Sequence, residues 1–442
     1  METVIRIIQF FLSLTLLVTV HEFGHFIMAR AFKIRVDKFY IFFDWGFSLF
    51  KFRRGETEYG MGWLPLGGYC QIAGMIDENQ TSKDLASEPQ PWEFRSKPAW
   101  KRFCVLIAGV TMNVILAFII YCGISYAYGE QYLAAEDVNN GYGYAFNEDG
   151  EALGFKDGDA IISINNEEIV NSASILSRVI LAENDLNVMI VRDNMLSGVV
   201  VPYQQINKLR QKEEFGGFCT VLHPFIIDSI ASQSAIDAGL QVSDQIVGID
   251  GIKEVNFPQY APLLAQRADK SAELTVLRNG EEIKLLVPVN SEGKIGVTVA
   301  GLPYTLRTKN FSLLESIPAG ARLTGRTIEN YWNQLKLIVK PDTGLYKQVG
   351  GFIAIGKIFP GTWDWHVFWS MTAFLSIILA IMNIIPIPGL DGGHTLFTLW
   401  EMITRRKVSE KVLEIAQYIG LFLLLALMLY ANGNDIYKLF IH

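Results

Sequence analysis

The chain has 442 residues, of which 50% are hydrophobic and only 19% are charged, and its mean hydropathy is +0.25. This composition is too apolar for an ordinary water-soluble enzyme of this length, so we expect a membrane protein. The formal net charge of -7 leaves no basic surplus to neutralise phosphates, which excludes a nucleic-acid-binding protein.

Four stretches are long and apolar enough to cross a lipid bilayer, which takes about 20 helical residues. They cover about residues 4–30, 103–128, 366–388 and 413–431. The first stretch has no small-residue cleavage site, so we interpret it as a span and not as a signal peptide. Lys and Arg are concentrated in the loops that follow the first and third stretches, which predicts that these loops are cytoplasmic. Residues 129–366 and both termini are then extracytoplasmic.

The first span contains the segment His21-Glu22-Phe23-Gly24-His25. On a helix, His-Glu-x-x-His places two imidazoles one turn apart on one face, where both can bind a single zinc ion. Glu22 is then placed to act as a general base that takes a proton from the attacking water. Such residues are costly within an apolar span and are usually functional. The alternative is a polar patch in which the three side chains satisfy one another between helices.

Residues 36–75 are predicted to form a β region. The segments 47–52 and 57–63 flank the turn at Arg53-Arg54-Gly55-Glu56 as a hairpin, and 64–69 adds a further extended piece. The aromatic side chains of this region suit contact with a membrane, but an ordinary cytoplasmic hairpin has the same pattern.

The stretch between the second and third spans contains an internal repeat. Residues 154–166 and 239–251 each read as a Gly/Asp turn, alternating Ile/Val residues and an Asn-Asn or Asp-Gly turn, which predicts a strand entering a hairpin. We therefore predict two small α+β modules at 130–205 and 215–300. Residues 310–361 are predicted to be an amphipathic segment on the outer membrane surface, or packed against the modules, because apolar or small side chains recur at helical spacing. These are Thr324, Ile328, Trp332, Leu335 and Ile338.

A catalytic zinc ion needs a third protein ligand and an open position. The run from Asn383 to His394 contains Pro386 and Pro388, which must break the helix at membrane depth. Asp391 follows that break, and spans one and three run in the same direction, so Asp391 and the two histidines are expected at the same depth. The alternative is that Asp391-Gly392 is only a turn at a helix end.

These two motifs together resemble those of the site-2 protease family, in particular its bacterial regulator-of-sigma-E protease branch with tandem PDZ domains. His21-Glu22-Phe23-Gly24-His25 is similar to the zinc motif of the family, and 383–394 is similar to its Asn-x-x-Pro-x-Pro-x-Leu-Asp-Gly-Gly-His signature. The segment 109–113 departs from the Gly-Pro-x-x-Asn that the family often has, because Val110 replaces the proline. Residues 350–353 also lack a proline that is common in relatives.

The resemblance implies a polytopic α-helical membrane protein with four transmembrane helices, two extracytoplasmic α+β PDZ-like domains and a membrane-associated β-hairpin region that pairs with substrate. It implies a Zn2+ ion held by His21, His25 and Asp391, with Glu22 as general base and Asn383 holding the unwound substrate strand. His394 is favoured as a capping or supporting residue and not as a fourth zinc ligand, because a fourth protein ligand would leave no position for water.

The predicted function is hydrolysis of peptide bonds within single-pass membrane proteins of the bacterial cytoplasmic (inner) membrane, with the PDZ-like domains in the periplasm. By resemblance, the substrate is an anti-sigma factor or a remnant signal peptide. The PDZ-like modules show no clear Gly-Leu-Gly-Phe loop, so peptide binding and a steric or regulatory role stay open. The alternative function is a non-catalytic membrane scaffold whose modules bind envelope proteins.

Overall fold

The protein is described by a computed structural model that covers residues 2–64, 67–75, 88–212, 217–253 and 257–441. The chain forms two compact units, and the second interrupts the first. The first unit contains the N-terminal part up to Gly129, Asn310–Val339, and the C-terminal part from Tyr346. The second unit contains Glu130–Lys309 and Lys340–Leu345.

Two long helices and a small sheet make up the N-terminal part of the first unit. Its elements are α1 (Glu2–Ala31), β1 (Val36–Tyr40), β2 (Phe43–Arg54), β3 (Thr57–Leu64), β4 (Tyr69–Ile72) and α2 (Ala99–Tyr128). The sheet has the order β2-β3-β1-β4, and the predicted hairpin is confirmed by antiparallel pairing of β2 with β3. Of the predicted extended piece, Pro65 and Leu66 lie outside the described residues.

The second unit contains short strands and short helices. Its elements are β5 (Glu130–Tyr132), α3 (Ala135–Asn140), β6 (Tyr144–Phe146), α4 (Glu148–Ala152), β7 (Ala160–Ile164), β8 (Glu167–Glu168), α5 (Ser174–Ile180), β9 (Leu186–Arg192), β10 (Met195–Val201), α6 (Tyr203–Arg210), β11 (Cys219–Val221), β12 (Phe225–Ile230), α7 (Gln233–Asp237), β13 (Gln245–Ile249), β14 (Ile252–Lys253), α8 (Phe257–Ala265), β15 (Ser271–Arg278), β16 (Glu281–Pro288), β17 (Val297–Val299) and β18 (Arg307–Lys309).

The C-terminal part of the first unit is helical. Its elements are α9 (Leu313–Val339), α10 (Phe352–Lys357), α11 (Trp365–Ile384), α12 (Asp391–Thr404) and α13 (Glu410–Ile441). By length and composition, α1, α2, α11 and the Lys411–Ile436 part of α13 can each cross a membrane. The third span was predicted to reach residue 388, but α11 ends at Ile384. It ends there because Pro386 cannot donate a helical hydrogen bond and disfavours helical geometry in the residue before it.

Helix α2 lies at the centre of the first unit and packs against α1, α9, α11 and α12. Gly24 allows α1 to approach closely, since a Cβ atom there would lie 2.5 Å from the carbonyl oxygen of Ala108. On the other side, the Ser376 hydroxyl of α11 donates to the backbone oxygen of Asn113 at 2.8 Å. These contacts fix α2 between the helix that carries the histidine motif and the helix that leads to Asp391.

Of the predicted amphipathic segment 310–361, only Leu313–Val339 forms the long helix α9, and part of its apolar stripe faces the helices of its own unit. Ile328 and Leu335 pack against a buried cluster formed by α2 and α11. Thr324 is buried, whereas Trp332 is exposed. The sequence predicted the stripe but not its partner, because a helical period indicates only that one face is covered.

The second unit contains two similar modules, each with its own core. The predicted hairpins are present, as β7 pairs with β8 and β13 with β14. The same ion pair recurs, since Arg192 contacts Asp159 and Arg278 contacts Asp244, each at 2.7 Å. Strand β11 lies in the predicted second module, 215–300, but pairs with β6 of the first. The assignment of both modules as PDZ domains stays a prediction.

Candidate metal centre

Three predicted ligand atoms meet at one point of the first unit. Asp391 Oδ2 lies 2.9 Å from His21 Nε2 and 3.2 Å from His25 Nε2, and the two Nε2 atoms are 3.2 Å apart. A tetrahedral zinc ion at 2.0–2.1 Å from its ligands separates them by about 3.3 Å, so this donor set fits zinc. Both histidines are buried and the Asp391 side chain is 19% exposed.

The conformation of the loop between α11 and Asp391 requires glycine at several positions. After α11 ends, the chain folds back over the first turn of α12, and Gly389 adopts a φ of 93°. A Cβ at Gly392 would lie 2.1 Å from the Ile385 carbonyl oxygen, and one at Gly393 would lie 2.7 Å from that of Ile387. The Asp-Gly-Gly sequence therefore lets the broken helix close over the residue that carries the carboxylate.

An ion pair attaches α12 to α2. Arg102 near the start of α2 contacts Glu401 of α12 at 2.6 Å, and each side chain is only 14% exposed. The pair is thus largely shielded from water, where opposite charges attract more strongly than at the surface. It holds the helix that begins with Asp391 against the helix that contacts both histidines.

One face of α2 lies against the two histidines. The carbonyl oxygen of Val105 accepts a hydrogen bond from His25 Nδ1 at 2.8 Å, and Asn113 Nδ2 lies 3.2 Å from His21 Nδ1. Between them, a Cβ at Gly109 would lie 2.5 Å from His25 Nε2. In the sequence, Gly109 and Asn113 stand out only as part of a family pattern. Their spacing of four residues, equal to that of the histidines, was the signal that could have identified this face.

Glu22 lies beside the ligands and contacts the sheet. Its carboxylate accepts a hydrogen bond from the backbone N–H of Cys70 in β4. Among the described strands, β4 pairs only with β1, and because Cys70 donates to Glu22, this N–H points away from β1. The predicted general base therefore lies at an edge of β4 that no other described strand occupies, and no sequence motif indicated this contact.

Two further residues of the motif 383–394 were considered in the sequence, Asn383 and His394. Asn383 is half-buried in the last turn of α11, and its side chain forms no hydrogen bond with the residues that the structure describes. His394 is half-buried in α12 and lines a cavity of about 150 Å³ together with Phe94, Arg102 and Glu401. Within the described part of the chain, His394 is not a member of the group of converging ligand atoms.

Comparison with known proteins decides the family. The model of Peptidase family M50 matches residues 9–427. The chain belongs to this family. A Vibrio cholerae serotype O1 protein named "Putative zinc metalloprotease" is 30% identical over 461 residues, which cover 98% of both chains. A Haemophilus influenzae protein named "Regulator of sigma E protease" is 29% identical over 474 residues, with 98% of each chain covered.

A third relative, from Xylella fastidiosa and also named a zinc metalloprotease, is 28% identical over 450 residues and covers 96% of this chain and 97% of its own. The family membership confirms the predicted resemblance to site-2 proteases, the predicted zinc metalloprotease activity and Zn2+ as the cofactor. With four helices among its described residues that are long and apolar enough to span a bilayer, this M50 peptidase is a bacterial membrane protein.

Proposed function

We propose that this M50 peptidase hydrolyses peptide bonds within the transmembrane segments of single-pass proteins, with His21, His25 and Asp391 as zinc ligands. The convergence of two Nε2 atoms from α1 with a carboxylate oxygen from α12 supports this proposal above all. Zinc, when bound, supplies Lewis acidity to the reaction. A set of three protein ligands leaves a position open for chemistry, as catalytic sites require.

Glu22 is the proposed general base. It follows the ligand His21 directly in α1, so its carboxylate is near the ligand atoms and can take a proton from the attacking water. The Cys70 N–H donates to this carboxylate and restrains its orientation.

The edge of β4 is the proposed site for the unwound substrate. A helical substrate hides its peptide bonds in its own hydrogen bonds, so it must become extended before attack. An extended segment can add through backbone hydrogen bonds to the edge of β4 that no described strand pairs with, and this edge adjoins Glu22. Asn383 is proposed to hold the same segment through its side-chain amide.

We further propose a role in regulated intramembrane proteolysis in the bacterial inner membrane, with the second unit on the periplasmic side. The name of the Haemophilus influenzae relative supports a substrate of the anti-sigma-factor class, and remnant signal peptides are the second class of substrate. The excess of Lys and Arg in the loops after the first and third spans supports this orientation.

The test is cleavage of a model single-pass substrate by purified protein in detergent. Glu22→Gln should retain zinc but lose at least about 100-fold in rate, because it removes the general base. Chelator treatment should also abolish cleavage, and added Zn2+ should restore it. Glu56→Gln, at an exposed turn, is the matched control and should cleave as the wild type does. Equal cleavage by all samples would refute the zinc mechanism, and zinc-loaded protein that cleaves no substrate would favour the scaffold.

A further inference from the structure

The two histidines of the metal centre differ in what holds their Nδ1 atoms. His25 Nδ1 lies 2.8 Å from the carbonyl oxygen of Val105, which can only accept a hydrogen bond. The hydrogen of a neutral His25 is therefore on Nδ1, and the lone pair of Nε2 points towards Asp391. The backbone of α2 alone determines this tautomer.

For His21, a side chain occupies the corresponding position. The Asn113 amide lies 3.2 Å from His21 Nδ1, and Asn113 is fully buried. Its Oδ1 atom has no hydrogen-bond partner among the described residues. A half-turn of the amide exchanges its oxygen and nitrogen without a change of shape. In either orientation of the amide, one of its two atoms, Oδ1 or Nδ2, lacks a hydrogen-bond partner among the described residues. The number of hydrogen bonds therefore does not distinguish the two orientations.

The requirement that His21 Nε2 bind the metal does distinguish the two orientations of the amide. If the amide nitrogen donates to Nδ1, a neutral imidazole carries its hydrogen on Nε2, and that atom cannot bind a metal. If the amide oxygen accepts from Nδ1–H, the lone pair of Nε2 points to the atom 2.9 Å away, Asp391 Oδ2. We infer that Asn113 is a positioning residue whose amide oxygen accepts from His21 Nδ1–H and fixes the tautomer that binds zinc. This inference rests on the ligand set proposed above.

The surroundings of Asn113 fit this task. Its backbone oxygen accepts the Ser376 hydroxyl from α11, so contacts from both neighbouring helices restrain this turn of α2. Gly109, one turn earlier, leaves the space into which the imidazole rings project. Hydrogen bonds to the outer nitrogen of a ligating histidine orient the ring and raise its basicity.

Two substitutions of Asn113 separate the possibilities. The measurement is Zn2+ affinity of the purified full-length protein, by competition with a chromophoric chelator. Asn113→Leu removes the acceptor at similar size and should weaken zinc binding about 10- to 100-fold. Asn113→Asp keeps an acceptor oxygen and should stay within a few-fold of wild type. Thr111→Val is the control, because Thr111 is exposed and the one hydrogen bond of its hydroxyl to the described residues goes to the Ile107 carbonyl of its own helix, so its loss should change nothing.

Other patterns overturn the inference. If Asn113→Leu and Asn113→Asp both bind zinc as tightly as the wild type, the amide has no positioning role. If both lose affinity although they unfold at the wild-type temperature, an acceptor oxygen at position 113 does not support zinc binding and the inference is wrong. Should the variants fail to fold, [15N]histidine spectra of the zinc-loaded wild type decide: the zinc-bound His21 ring should carry a hydrogen on Nδ1, and a His21 ring without one overturns the inference.

The same series keeps the two proposals apart. His21→Ala should lose zinc affinity if His21 is a ligand. If His21→Ala binds zinc as the wild type does, the proposed ligand set is wrong. If His21→Ala loses zinc but Asn113→Leu does not, the ligand set stands and only the role of Asn113 is wrong.

Discussion

Gly109 controls whether two imidazole rings fit beside α2. We predict that Gly109→Ala lowers zinc affinity by about 10-fold or more, because its Cβ would lie 2.5 Å from His25 Nε2 and displace the ring. Gly123→Ala on the same helix is the matched control, since outside the adjacent turns of α2 no described residue lies within 4 Å of the added Cβ. Chelator competition measures both variants, and equal affinities would contradict the prediction.

Residues with a motif could be predicted from the sequence, and residues defined by a tertiary contact could not. His21, His25 and Asp391 belong to patterns that ligand chemistry requires, and the structure brings their ligand atoms together. Cys70 contributes only a backbone N–H, so its residue type carries no signal. Its contact with Glu22 depends on how a strand packs beside a helix, which local sequence does not encode.

Among the elements, the repeated modules depend on a buried ion pair. Asp244 is 1% exposed and accepts hydrogen bonds from Arg278 and from the backbone N–H of Gln241. We predict that Asp244→Asn lowers the free energy of unfolding of this module by about 3 kcal/mol, because it removes one partner of a largely buried pair. Thermal or denaturant unfolding of the purified protein measures it. The exposed pair of Lys294 and Glu292 is the control, and Lys294→Ala should leave stability unchanged.

The carboxylate of Asp244 should also make the stability of this module depend on pH. Burial alone would raise the pKa of Asp244, but the Arg278 guanidinium and the Gln241 N–H hold its pKa below the ordinary value. A carboxylate with a lowered pKa stabilises the fold above about pH 4 and loses this contribution as the pH falls further. Asp244→Asn should therefore flatten the acid limb of the stability profile, and an unchanged acid limb would show that the ion pair does not contribute.

The sequence predicts the end of a helix where a residue, such as proline, cannot continue helical geometry. The sequence predicted the break between α11 and α12 because proline removes a hydrogen-bond donor. It did not predict that α12 would be a separate helix on α2, because this position depends on the contact of Arg102 with Glu401. These two residues are about 300 positions apart in the chain, beyond the reach of any local pattern.

For the whole molecule, the orientation in the membrane is testable by labelling. In a variant without its four natural cysteines, Asn166→Cys at the exposed β7–β8 turn should react with a membrane-impermeant maleimide in spheroplasts. Arg406→Cys, between α12 and α13, should react only after lysis, because basic loops stay in the cytoplasm. The reverse pattern would contradict the proposed location of the second unit.

At this scale, hydropathy predicted the four apolar helices because the bilayer imposes a length that composition reveals. The sequence did not predict every segment of the chain that belongs to the second unit. Lys340–Leu345 belongs to that unit although it follows α9, and Asn207 in α6 contacts Asp342 at 3.3 Å. A short segment that returns to an earlier unit has no period or composition of its own, so only the structure assigns it.

The proposed ligands His21 and Asp391 are 370 residues apart in the chain, so a zinc ion bound between them would join its N-terminal and C-terminal parts. The first unit is thus assembled from three chain segments, one before and two after the main part of the second unit in sequence, and α2 and a bound metal ion would hold them together. A chain cut at a surface loop of the second unit should therefore copurify as one complex, and chelation should weaken that association. The metal then contributes to assembly as well as to chemistry.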